Sequence, residues 1–275
     1  MRPTLILLFT IVATRGRAQT LTGAPSAARD SVPSNTATSP QRELGRNTVW
    51  MLSGALAAGV ATSMFDSQLL TGTQYLGDHA EMDRGSAIGN MIGGPGPIAL
   101  GATLYVAGRG LGNGFVTNAG RNVMRAVVIS GGITALTKGI VGRARPFASP
   151  GDADEYSPGH GFLNTARASF PSGHTSAAFA TATVLARELN VAHPKSRWIV
   201  NPLLFGGATF VGFSRIYDNQ HWPSDVVVGA ALGSITGYEV VAHAHGDRSH
   251  ISGGFLSHLT LGPHEHGMEL GWSLR

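Results

Sequence analysis

Apolar positions gather into six stretches between residues 50 and 243, with polar punctuation between them. WMLSGALAAGVATSMF (50–65) predicts a first helix, stopped by Asp66. Residues 85–108 carry no charge, but GGPGP at 93–97 breaks them ahead of a second helix over 98–107. A third covers 121–144 and ends there, because Arg145 precedes Pro146 and is steered away from helical angles. The fourth follows PSGH (171–174) and closes near Asn190, and the fifth covers 198–214. The sixth begins around Pro223, a residue suited to the first helical turn, and runs to about His243. The pattern predicts an all-α fold, a helical bundle of about six or more helices.

The remaining text is of other kinds. PFASPGDADEYSPGHGFLNTARAS (146–169) is rich in Pro and Gly and carries Asp152, Asp154 and Glu155. A segment this long between helices is a functional lid or is disordered. Beyond Gly246, HLTLG and MELGWSL alternate in character and flank a Pro-Gly region, which predicts a β-hairpin in a tail over 247–275. Residues 19–45 are rich in Ser, Thr, Pro and Ala without apolar period and predict a disordered leader. Residues 1–18 have a basic start at Arg2, an apolar run over 4–13 and small residues at Gly16 and Ala18, the layout of a signal peptide. The helical catalytic domain is then 46–246. There is no tandem repeat and no glycine-rich nucleotide loop.

Composition bears on location. The chain is 43% hydrophobic and 13% charged, below the usual charge of a soluble domain. That leaves a well-buried helical protein or a membrane-associated one. The fourth helix has about a dozen apolar residues before Arg187, and the third has few between Arg125 and Lys138. Both fall short of the roughly 20 that a membrane span needs, while the first and fifth come closer. The expectation is an exported, periplasmic helical domain resting on a membrane surface, with a multipass protein as its rival. The net charge of +4 falls to +1 once Arg2, Arg15 and Arg17 leave with residues 1–18, so no nucleic-acid partner is implied. The absence of cysteine excludes disulfide, thiol and Cys–zinc chemistry.

Three islands carry candidate chemistry. In Lys138-Gly-Ile-Val-Gly-Arg-Ala-Arg145-Pro146, seven residues are close to two helical turns, which puts Lys138 and Arg145 on one side. Such a pair repels unless an anion lies between its members; alone it reads equally as a solvated basic patch. Pro171-Ser172-Gly173-His174 opens a helix, whose free N–H groups and positive end suit an anion. Ser172 adds a hydroxyl and Gly173 allows close approach to the backbone; alone this is an N-cap. In Ser214-Arg215-x5-His221-x3-Asp225, the carboxylate can accept a hydrogen bond from one ring nitrogen of His221 and leave the other basic. A capped helix with an ion pair explains those two residues but not Arg215, whose planar fork suits anionic oxygens. Together the islands describe a site for a compact, multiply charged oxyanion, and phosphate fits best.

K-x6-R-P, P-S-G-H and S-R-x5-H-x3-D, covering 138–225, resemble the three-part signature of the type 2 phosphatidic acid phosphatase and vanadium haloperoxidase superfamily. The low charge and Gly/Ala-rich helices resemble its bacterial acid-phosphatase-like branch. The resemblance implies a phosphatase acting on monoesters or diphosphates, with a lipid phosphate or a small soluble ester as substrate. It implies that His221 attacks phosphorus, that Asp225 orients it, and that His174 protonates the leaving oxygen and then activates water. Lys138, Arg145, Arg215, Ser172 and Gly173 would hold the phosphate oxygens, with no metal and no other cofactor.

Two rivals share the site. A vanadate-dependent haloperoxidase would use vanadate as cofactor, where the phosphatase would be inhibited by it. A phosphate-binding module would need only the cations. Six histidines after Val241, namely His243, His245, His250, His258, His264 and His266, match no closed zinc pattern and read as a polar tail. His160 and His79 read as surface residues, and Trp222 as core packing or a wall of the substrate path.

Overall fold

Eight α-helices in chain order make up most of residues 40–246: α1 Pro40–Ser63, α2 Asp66–Gln74, α3 Ala80–Gly93, α4 Gly96–Gly110, α5 Gly114–Val141, α6 Gly173–Ala192, α7 Arg197–Tyr217 and α8 Pro223–Ala244. They come from a computed structural model that describes residues 40–75, 80–246, 259–264 and 267–272, with side chains over 50–75 and 82–246. The fold is the expected all-α bundle. Strands β1 (Leu259–His264) and β2 (Gly267–Trp272) pair antiparallel where a hairpin is expected, Leu259 facing Trp272 and Leu261 facing Leu270. Residues 1–39, which include the expected signal peptide and most of the leader, lie outside the described residues, as does His79.

Three boundaries differ from expectation. Residues 40–45, expected in the leader, already belong to α1. Asp66 does not merely stop a helix: it opens α2, buried at its N-terminus. The third predicted helix ends at Val141, three residues early, because Gly142 adopts the left-handed conformation (φ 61°) and donates its N–H to the Lys138 carbonyl. A Cβ at Gly142 would collide with the Ser157 carbonyl, so the turn needs glycine for space as well as for angle. The helix α3 was not anticipated, since AEMDRGSAIGNMIG mixes charge and glycine without a clear apolar face.

Small residues bring the helices together by backbone contact. Gly229, Gly233 and Gly237 form a ridge at four-residue spacing along α8, and α6 lies directly on it. A Cβ at Gly229 would stand 2.6 Å from the Ser172 carbonyl oxygen, one at Gly233 would strike the Ser176 carbonyl, and one at Gly237 would stand 2.7 Å from that of Ala180. This small-xxx-small pattern lets two helices approach as in membrane proteins. Gly101 and Gly120 do the same between α4 and α5. Val123, Val127, Ala180, Val184 and Val241 fill the core between α5, α6 and α8.

The outer surface is apolar. Leu52, Leu56 and Val60 make an exposed stripe at four-residue spacing on α1, Met64 is exposed just past its end, and Ile199, Leu203 and Phe210 are exposed on α7. The segments 114–141, 194–217 and 223–244 are long and apolar enough to cross a membrane, and only 28–39% of their most apolar stretches is buried inside the bundle. Burial among partner helices does not account for such surfaces; the protein is membrane-associated or multipass. This corrects the reading of the third helix as too short. Counting only between Arg125 and Lys138 omitted the residues that lengthen α5 upstream.

Candidate active site

The C-termini of α3, α5 and α7 meet the N-termini of α6 and α8 at one end of the bundle, and the three sequence islands converge there. Lys138 and Arg145 do not share a helix face, because the chain leaves the helix at Gly142. Residues beyond it run extended, with Arg143 bridged to Tyr156. Both cations instead turn toward the carbonyls around the long segment. Lys138 Nζ donates to Ala168 O (2.6 Å) and Ser169 O (3.1 Å), while Arg145 donates to Thr165 O (2.9 Å) and to the Gln220 side chain (2.8 Å).

Ser172 is the N-cap of α6, fully buried, with its hydroxyl 2.8 Å from that of Thr175. The capping role is therefore real. Gly173 faces the site: a Cβ there would meet only Thr134 Oγ1 at 3.7 Å and Lys138 Cε at 3.9 Å. His174 lies against the end of α3, where Gly93 and Gly94 make room for it. A Cβ at Gly94 would stand 3.1 Å from His174 Nε2. Burial, then Arg215, Lys138 and Arg145, hold the His174 pKa down to about 4, so its imidazole is neutral near pH 7.

The third island is built on a tight turn. Asn219 takes a left-handed conformation (φ 56°), which Asn tolerates, and the N–H groups of Gln220 and His221 fold back onto the Arg215 carbonyl at 3.0 and 3.2 Å. His221 is thereby buried beside the start of α8, with burial first and Lys138 and Arg145 after it lowering its pKa to about 3 against the pull of Asp225. His221 Nδ1 stands 3.6 Å from Asp225 Oδ2. That is an ion-pair distance, longer than the expected hydrogen bond, and such bonds often tighten only when substrate is bound. Asp225 Oδ2 accepts instead from Ser169 Oγ (2.5 Å) and Trp222 N (3.0 Å). Arg215 donates to Asp218 Oδ2 (3.2 Å), which also accepts from Asn90 of α3 (3.0 Å). Arg215 Nε and His221 Nδ1 are buried without a hydrogen-bond partner among the described residues.

Behind Asp225 lies a charged array with almost no solvent contact. Arg143 donates to Asp225 Oδ1 (2.6 Å), Asp66 Oδ2 (2.7 Å), Ser224 Oγ (2.8 Å) and the Ala153 carbonyl. Asp66 accepts in turn from the Ser224 N–H (2.8 Å) and hydroxyl (2.5 Å). Trp222 and Tyr156 lie about the guanidinium, their ring centres 5.6 and 5.5 Å from it.

The model of the PAP2 superfamily matches residues 120–248. These residues belong to the PAP2 superfamily. Over 73 residues the chain is 45% identical to the lipid A 1-phosphatase of Porphyromonas gingivalis, covering 26% of this chain and 16% of that protein. It is 32% identical over 140 residues to the probable diacylglycerol pyrophosphate phosphatase 1 of Schizosaccharomyces pombe, covering 43% of this chain and 50% of that one. The chain thus spans half or less of the length of these curated relatives. A transmembrane PAP2 type phosphatidylglycerolphosphate phosphatase from Bacillus subtilis aligns over 72% of this chain and 96% of its own, with 19% identity and a TM-score of 0.46.

All eight candidate residues, Lys138 through Asp225, fall inside the PAP2 segment. Asp66, Gly93 and Gly94 lie upstream of it, and sequence reasoning passed over them, as it did Arg143 and Ser169. Arg143 stands between two residues that were noticed, and Asp66 is a lone acid at the end of an apolar run. In a chain with 13% charged residues, a charge in apolar surroundings is costly enough to be a signal. Trp222 is core, fully buried, with its Nε1 donating to the Ala144 carbonyl (2.9 Å). His160 is exposed. His245 Nε2 lies 3.1 Å from Glu188, which also accepts from Asn122 (2.8 Å), at the far end of α6. No cluster of three or more metal-ligating side chains occurs among the described residues.

Proposed function

We propose that this protein is a phosphatase that hydrolyses lipid phosphate monoesters or diphosphates through a phosphohistidine at His221. The observation that carries the reading is the convergence of Lys138, Arg145 and Arg215 on two neutral histidines at the positive end of α6, with Arg215 Nε lacking a partner among the described residues. Binding alone needs the cations; it does not need a buried imidazole with a carboxylate at 3.6 Å.

In this mechanism the free ring nitrogen of His221 attacks phosphorus as the bond to the leaving oxygen breaks. The bound phosphate offsets the cations that keep His174 neutral in the free protein, so His174 takes up a proton on binding and gives it to that oxygen. His174, now neutral, removes a proton from water, which attacks phosphorus and breaks the P–N bond, releasing phosphate and restoring His221. The cations, the Ser172 hydroxyl and the Gly173 N–H stabilise the equatorial oxygens. Those fixed charges supply the stabilisation without a metal, and vanadate acts as an inhibitor.

Three features support a lipid substrate. Phe147, Phe162 and Leu163 are exposed on the segment that also supplies Thr165 to Arg145. The bundle carries apolar outer faces. The names of both curated relatives specify phosphatases, one of lipid A and one of diacylglycerol pyrophosphate. With residues 1–18 as an export signal and 46–246 as the catalytic unit, the site opens on the periplasmic face.

The test is phosphate release by the purified full chain from lipid phosphates, isoprenoid diphosphates and soluble esters, with and without detergent. Turnover that persists in chelator and disappears in His221→Ala is expected. Chelator-sensitive activity that survives His221→Ala, or vanadate-activated halide oxidation, would overturn the reading.

A further inference from the structure

We infer that Asp66 and Arg143 are positioning residues for the reaction, forming with Asp225 a buried charge relay that holds the carboxylate beside His221. The inference rests on the phosphatase reading. It concerns residues that none of the three motifs specifies, one of them outside the PAP2 segment altogether.

The geometry is specific. Asp225 has two oxygens with different partners. Oδ1 is taken by Arg143 at 2.6 Å, while Oδ2, the one beside His221, holds only neutral donors, Ser169 Oγ and Trp222 N. Arg143 therefore fixes the rotation of the carboxylate and leaves its other oxygen for the imidazole. Arg143 is fixed in turn by Asp66, by the Ala153 carbonyl through two donors, and by the flanking rings of Trp222 and Tyr156. Asp66 also receives both donors of Ser224, the residue preceding Asp225, so α2 grips the first turn of α8 directly.

Charge explains why the array has three ionised members. Asp225 and Arg143 alone would form a neutral buried pair, and Asp225 would have little charge left to stabilise His221 as it gains positive character. Asp66 adds a second carboxylate, which makes the Asp66–Arg143–Asp225 triad net negative. The groups acting on His221 are Asp225 from α8, Lys138 from α5 and Arg145 from the segment after it. The triad is the negative member of that set, opposed to the cations that bind phosphate.

A purely structural array predicts different behaviour from a positioning one. Asp66→Asn keeps shape but removes the second negative charge and turns one of two acceptor oxygens into an amide donor. Arg143→Lys keeps charge but loses the fork, and Arg143→Met loses both. The full-length chain and each variant are to be assayed for kcat, KM, the pH profile of kcat/KM, melting temperature and vanadate affinity. In Asp66→Asn we expect kcat to fall on the order of 100-fold, with KM and vanadate affinity near those of the parent and a melting temperature lowered only by the lost hydrogen bond. In Arg143→Met, His221 faces the unscreened charge of Asp225, its pKa rises, and the acid limb of kcat/KM moves to higher pH. Arg143→Lys should recover part of the loss.

Parental kcat and pH profile in Asp66→Asn and Arg143→Met would overturn the inference. So would losses of kcat, vanadate affinity and melting temperature that run in parallel, since these mark a structural role only. If the parent chain releases no phosphate, or His221→Ala matches it, the phosphatase reading fails instead. The relay is then judged by the nitrogen chemical shifts of His221: a changed tautomer or titration in Asp66→Asn upholds it, and unchanged shifts overturn it.

Discussion

The backbone N–H of Ser172 donates to the carbonyl of Asp225 at 3.0 Å, joining the start of α6 to the first turn of α8. The two histidines of the proposed reaction stand on either side of this bond. The glycine ridge of α8 continues the same contact upward along both helices. Replacing Gly233 with Val forces a side chain into the Ser176 carbonyl. Overpacking of this kind typically costs about 1–3 kcal/mol. The melting temperature should drop, and phosphate release should fall further than stability alone explains, because the helix ends separate. An unchanged rate in folded Gly233→Val protein would show that the spacing is not critical.

Substitution of each histidine should give a distinct kinetic signature. His221→Ala forms no phosphoenzyme and leaves no turnover. His174→Ala loses about 10²- to 10⁴-fold in rate, the usual range for an acid–base group. The loss should be smallest for a p-nitrophenyl ester, whose leaving group needs no proton. Equal losses across leaving groups would assign His174 another task.

Anion affinity should depend on pH through His174. In the free protein its pKa is held at about 4 by burial and by Arg215, Lys138 and Arg145. A bound dianion offsets those cations, so the pKa rises on binding. The added affinity is fully present below about pH 4 and is lost as pH rises through the bound-state value. Titration with sulfate, whose own charge is constant in this range, should show affinity falling with pH in the parent. His174→Asn should flatten the curve; the same slope in both proteins would assign the proton elsewhere.

Arg215 has one donor committed to Asp218 and a buried Nε without a partner among the described residues. Arg215→Lys removes the planar fork while keeping charge. A lost charge-assisted bond is worth roughly 1.5–3 kcal/mol. Vanadate inhibition should weaken by about 10- to 100-fold, as measured by its inhibition constant. Little change would mean that Lys138 and Arg145 hold the anion unaided.

The apolar residues of the long segment can be separated from the chemistry. Leu163 is 91% exposed. Leu163→Asp should lower activity on a lipid phosphate in mixed micelles and leave activity on a soluble ester unchanged. Parallel losses on both substrates would remove the segment from any role in lipid selection.

The candidate site was legible because its residues sit in short fixed spacings at helix ends, and those spacings survive folding. Helical periodicity is not what joins Lys138 to Arg145, because Gly142 ends the helix four residues after Lys138. The cations meet because the segment after Gly142 folds back, which no periodicity encodes. Asp66 could not be paired with Arg143 from sequence, since 77 positions separate them. GGPGP was read as punctuation, but its first two glycines also clear the space that His174 occupies. Polar and apolar order predicts elements well; it does not show which backbone must stand aside for which side chain.

The ridge of Gly229, Gly233 and Gly237 has one more consequence. Where two helices touch through side chains, their separation drifts as rotamers change. Here atoms of the main chain meet directly, so the gap between the helices works like a machined shim. In the proposed reaction this shim sets the distance between His174 and His221, while the segment over 146–170 shapes what approaches them. Substrate preference can therefore be retooled from the outside without resetting the chemistry within.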